Sequence, residues 1–217
     1  MRANVAILLL SASLCSGAEP ARSARGLVDE ALATAKRETK AVLVVFGASW
    51  CRPCAQLEVF LTSPKVAPIL ATHFVVVHLT VNETDPSLDA PGGEELKEGL
   101  GGGKRGIPYF CFLDGDGRKL ADSTDPDGRG FPPSTPQRIA AFDRLLQRVS
   151  PRMTAGERRR MERVLAVMAV RETASQILAL RRSPEWRALL VAGASLSVAF
   201  GLGLSLLRIR RRRHRTG

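Results

Sequence analysis

Two cysteines two residues apart, in Trp50-Cys51-Arg52-Pro53-Cys54, directly follow an apolar run, Ala41-Val-Leu-Val-Val-Phe46. No other feature constrains this chain as strongly. An apolar run without alternation reads as a strand buried on both faces, and the motif after it opens a helix. A cysteine at a helix start meets unpaired N–H groups and the positive end of the helix dipole, which stabilise a thiolate. A second cysteine one turn in can attack a mixed disulfide at the first. The junction therefore suits a dithiol that cycles through a disulfide. The bland alternative is a structural pair or half of a zinc site. Four-coordinate zinc needs two more ligands, and His73, His78 and Cys111 show no ligand spacing, so no metal is expected.

Around this junction the periodicity lays out an α/β domain. Leu27, Val28, Ala31, Leu32 and Ala35 recur at helical spacing and predict a helix over about 24–38. The motif helix runs to about Leu61. Ser63-Pro64 reads as a cap and first-turn proline, opening a short helix through Ala71. Phe74 to Leu79 predicts a second buried strand, and 82–106 is polar and glycine-rich with at most one short helix, at Glu94–Gly99. Tyr109 to Leu113 is a third strand, Asp114-Gly-Asp-Gly117 a tight hairpin, and Arg118 to Asp122 the returning strand. After a loop over 123–134, Thr135-Pro136 caps a helix to about Val149. Thr154-Ala-Gly-Glu157 is a capping box opening another helix to about Arg182. That last helix is a stalk, a second lobe on the domain, or a pairing surface.

The two ends look specialised. Met1-Arg2, the apolar stretch Val5 to Leu14, and Ser16-Gly17-Ala18 form a secretory signal pattern over 1–18, with cleavage after Ala18 the first choice. Cys15 admits a lipidated form, and a retained N-terminal anchor is a further option. Residues 188–207 carry no charge over 20 positions, long enough as a helix to span a bilayer. Beyond them, 208–217 is a basic tail with six arginines, which marks the cytoplasmic side. A domain at 22–149, a juxtamembrane helix at 153–182 and one C-terminal span place the dithiol in the periplasm. Gly193, Ser197, Gly201 and Ser205 recur every four residues and offer a face for homodimer contact. The net charge is +11, falling to +5 without the tail arginines; with only 5% aromatic residues and no aromatic–basic interleaving, nucleic acid is not an expected partner.

The strand, the Trp-Cys-x-Pro-Cys helix, Ile107-Pro108 and the Phe-Leu-Asp-Gly-Asp-Gly-Arg hairpin resemble the thioredoxin-like superfamily over about 25–149. The stretch Ala48 to Glu58, followed by Ser63-Pro64 and Val66, is similar to the C-terminal domain of the membrane thiol reductase that carries electrons into the bacterial periplasm. The resemblance implies a thioredoxin-like fold, with Cys51 as the more exposed nucleophile and Cys54 as the buried resolving thiol. It also implies that Trp50, Arg52 and Pro53 flank the substrate. Ile107-Pro108 would be a cis peptide facing the disulfide, leaving the Ile107 backbone free for an extended substrate; from sequence alone it is only a strand entry. One departure stands out. The family places a buried aspartate six residues before the first cysteine, and here Val45 holds that position. Glu58 either takes over as proton acceptor for Cys54 or is a solvent-facing helix residue.

Cys111, within an apolar strand, reads as an inert core residue. Gly99 to Lys104 only superficially resembles a phosphate loop, because Glu98 and Arg105 stand where glycine and a hydroxyl residue belong. The expected function is a membrane-tethered, extracytoplasmic thiol:disulfide oxidoreductase with no cofactor beyond its own disulfide. Its partners would be protein thiols or disulfides and a redox partner protein. The competing reading is a binding module on the same fold, a chaperone or a metal or enzyme assembly factor. Direction is open: Arg52 favours a less reducing couple, the resemblance a reductase.

Overall fold

A computed structural model describes residues 22–103, 105–124, 133 and 135–182. The signal pattern, the run at 188–207 with its small-residue face, the basic tail and most of the 123–134 loop lie outside the described residues. Among the described residues, no helix is long and apolar enough to cross a membrane.

The chain runs α1 (Ala24–Glu38), β1 (Ala41–Gly47), α2 (Arg52–Leu61), α3 (Ala67–His73) and β2 (Phe74–Thr80), then α4 (Gly93–Gly99) and β3 (Tyr109–Leu113). It closes with β4 (Lys119–Asp122), α5 (Pro136–Val149) and α6 (Ala155–Arg182). The strands form one four-stranded mixed sheet in the order β2-β1-β3-β4, with β1 parallel to β2 and antiparallel to β3. Successive side chains of a strand point to opposite faces. Leu43 and Val45 of β1 thus share one core with Phe110, Phe112, Leu57 and Phe60. Val42, Val44 and Phe46 join Tyr109, Cys111 and the α1 residues Val28 and Ala31 on the other face. An unbroken apolar strand is what a central position between two covered faces requires.

Two expectations are corrected. β2 is an edge strand, and along it only Phe74 and Leu79 are buried, with His78 exposed. The helix after Ser63-Pro64 begins three residues later, at Ala67. The Ser63 backbone carbonyl accepts from the Val66 and Ala67 N–H groups, so these residues form a turn, and Pro68 takes the helix start instead.

α6 leaves a capping box in which Glu157 N–H donates to Thr154 Oγ1 (3.2 Å) and Thr154 N–H to Glu157 Oε2 (2.8 Å). Its first half packs into the domain: Met161 and Leu165 are fully buried in the core that holds α2 and α5. Each such side chain contributes roughly 1.5–3 kcal/mol. Buried His73 ties the same corner together, with Nδ1 3.0 Å from Ser150 Oγ and Nε2 3.4 Å from Glu157 Oε1. The second half of α6 exposes Val170, Ile177 and Leu178.

Candidate active site

β1 delivers the chain to Gly47, and a four-residue loop, 48–51, carries it into α2. Cys51 is the N-cap of α2 in extended conformation, and its Sγ accepts the Cys54 N–H at 3.2 Å. This is the geometry in which a helix start stabilises a thiolate. Pro53, in the first turn, forfeits no helical hydrogen bond. Cys51 and Cys54 form a disulfide, with Cα atoms 5.2 Å apart.

The Ile107–Pro108 peptide is cis, and the Ile107 carbonyl oxygen lies 3.6 Å from Cys51 Sγ. Two segments 56 residues apart in sequence thus meet at the first sulfur. The loop before α2 is pinned from β2's far end. Ser49 donates from N and Oγ to Glu83 at 2.6 and 2.8 Å, and Trp50 Nε1 donates to the Asn82 carbonyl at 2.8 Å. The Trp50 ring remains 56% exposed beside the disulfide.

The relative exposure of the two cysteines reverses the expectation. Cys51 is 3% exposed, whereas Cys54 is only partly buried. Cys51 turns its sulfur over the helix end and onto the Ile107 carbonyl. Cys54 instead lies against Gly47, at the edge of an open groove of about 310 Å³ lined by Val45, Gly47, Cys54, Glu58, His78 and Glu83. Glu58 belongs to this groove and also faces solvent: half-exposed, it stands 3.2 Å from Nδ1 of the equally exposed His78. Val45 is buried between Phe110 and His78 in the sheet register, so position 45 itself offers no titratable side chain to the dithiol.

Arg52 points to α6. Its Nη2 donates to Glu172 at 2.8 and 3.1 Å, and Gln56 Nε2 donates to the same carboxylate at 3.0 Å. Sequence reading missed Glu172, Glu83, Ser49 and Gln56, since nothing in local spacing links them to the motif. Cys111 is fully buried, and burial pushes its thiol up to about 12, which keeps it protonated. Among the described residues, no three His, Cys, Asp or Glu side chains stand close enough to hold a metal ion.

Residues 24–115, from α1 through β3, match the thioredoxin-like family. Among solved structures, a disulphide isomerase from Xylella fastidiosa Temecula1 is 24% identical over 72% of this chain and 98% of that one, with a TM-score of 0.43. DsbH oxidoreductase is 21% identical over 67% of this chain and 94% of its own, with a TM-score of 0.41. A thioredoxin from Thermus thermophilus is 26% identical over 54% and 80%, with a TM-score of 0.38. No curated protein matches the chain.

Proposed function

We propose, from the premise that this chain belongs to the thioredoxin-like superfamily through residues 24–115, that it is a thiol:disulfide oxidoreductase tethered to a membrane and acting on exported protein cysteines. The observation that carries the reading is the Cys51–Cys54 pair at the start of α2, with the Cys54 N–H directed at Cys51 Sγ.

In the reducing direction the Cys51 thiolate attacks a substrate disulfide. A Cys51–substrate S–S bond forms and the other substrate sulfur leaves as a thiolate that takes a proton from water. Cys54, losing its proton, then attacks Cys51 Sγ. The second substrate thiol departs, and the Cys51–Cys54 disulfide remains, to be reduced by a redox partner protein. Oxidation of substrate thiols is the same sequence in reverse. Glu58, in the groove that Cys54 lines, serves as acceptor of the Cys54 proton in place of the aspartate that Val45 displaces. The Ile107 backbone beside cis-Pro108 and the exposed Trp50 ring receive the substrate chain. The signal pattern, the uncharged run at 188–207 and the arginine tail support the tether and a periplasmic dithiol.

Trapping tests the reading. Cys54→Ala removes the resolving attack, so partners should accumulate as mixed disulfides at Cys51 on non-reducing gels. No adducts beyond those of the Cys51→Ala/Cys54→Ala double variant would sink it.

A further inference from the structure

Glu172 lies on α6, outside the family-matched segment, yet its carboxylate stands 2.8 Å from Arg52 at the start of the dithiol helix. Its carboxylate is the meeting point of three side chains. Arg52 Nη2 donates to both oxygens at 2.8 and 3.1 Å, Gln56 Nε2 to Oε2 at 3.0 Å, and Gln176 Nε2 to Oε1 at 3.0 Å. Gln176 sits one turn along α6 and orients the carboxylate; Gln56 and Arg52 both belong to α2. Glu172 is 24% exposed and Arg52 71%, so the acid is the anchored partner and the guanidinium the one drawn to it.

We infer that Glu172 is a positioning residue for the dithiol: by pairing Arg52 it offsets the positive charge next to Cys51 and so sets the thiolate stability and redox poise of the pair. This rests on the oxidoreductase reading above. A free guanidinium one residue from a helix-start sulfur favours the thiolate, and a thiolate favoured in the reduced form makes the couple more oxidising. A carboxylate bound to that guanidinium cancels much of the effect. The pair contributes little to stability, because Arg52 is solvent-screened. What it changes is the local charge felt by Cys51. Among the described residues, the titratable side chains lining the groove beside Cys54 are Glu58 on α2, His78 on β2 and Glu83 after β2. Glu58 and His78 pair with each other and Glu83 is taken by Ser49, leaving Arg52 as the cation that Glu172 controls. Because Glu172 sits on the half of α6 beyond its buried anchors Met161 and Leu165, the poise of the dithiol is linked to whether that half of α6 rests on α2.

The test uses the full-length protein in detergent, reduced, with the pH profile of iodoacetamide reaction at Cys51 and the equilibrium with glutathione redox buffer as readouts. Glu172→Gln should lower the alkylation midpoint by about half a pH unit and shift the equilibrium toward the dithiol about threefold. Glu172→Asp, which keeps the charge, should restore most of both. In an Arg52→Gln background the effect of Glu172→Gln should shrink to less than half. A loosened α6 acting by disorder alone would not depend on the charge at position 52. An unchanged midpoint in Glu172→Gln, or a full shift persisting without Arg52, overturns the inference while leaving a cycling dithiol intact. A pair that does not cycle at all overturns both this and the oxidoreductase reading.

Discussion

Gly47 and Cys54 approach so closely that a Cβ on residue 47 would lie 3.3 Å from both the Cβ and the Sγ of Cys54. The last residue of β1 therefore determines how deeply the second cysteine can sit. Its φ lies outside the left-handed region, so alanine there is a question of space and not of backbone strain. Gly47→Ala should destabilise the oxidised protein by about 1–2 kcal/mol through overpacking. Denaturant unfolding of both redox forms checks this; no loss in either would mean that Cys54 has room to retreat.

Burial and thiolate character oppose each other at Cys51. It is 3% exposed, but its sulfur holds the helix-start N–H. Thiolate fraction governs nucleophilicity, so reduced Cys51 should react before Cys54 with iodoacetamide near pH 6. The burial should appear as a size effect, with a bulky maleimide losing rate at Cys51 far more than at Cys54. Dominant labelling of Cys54 by the small reagent would exchange the two roles.

Asp122 at the end of β4 provides a pH handle. Burial would raise its carboxyl, but hydrogen bonds from Lys119 and Thr124 outweigh that and hold it at about 2, against an ordinary 3.8. Because the folded value is depressed, the stabilisation is complete above about pH 4 and is lost as pH falls toward 2. The shift corresponds to about 2 kcal/mol. Asp122→Asn should lose that amount near neutrality and show a flatter stability curve through the acid range. Parallel acid limbs for the two proteins would remove Asp122 from the account.

Membrane orientation is open to direct measurement. A reporter active only outside the cytoplasm, fused after Arg182, should be on, and the same reporter after Gly217 should be off. Replacing the six tail arginines should weaken the orientation. A silent fusion after Arg182 would place the dithiol in the cytoplasm and change its partners.

What the residue order determined by itself was local. The unbroken apolar run at 41–46, the start of α2 at the cysteine motif, the Thr135 cap and the Thr154–Glu157 capping box were all legible. Each depends on side-chain period or on a hydrogen bond reaching three residues along the chain. The tertiary structure decided everything that joins distant segments. Phe74 to Leu79 and the cysteine motif do not reveal that β2 is an edge strand, that Cys51 is the more hidden cysteine, or that Glu58 meets His78. Least legible was the pairing of Arg52 with Glu172, 120 residues apart. An exposed arginine and a glutamate on a charged helix carry no periodic signal. They meet only because Met161 and Leu165 bury α6 in the core that α2 shares, which fixes the path of its following turns past the dithiol.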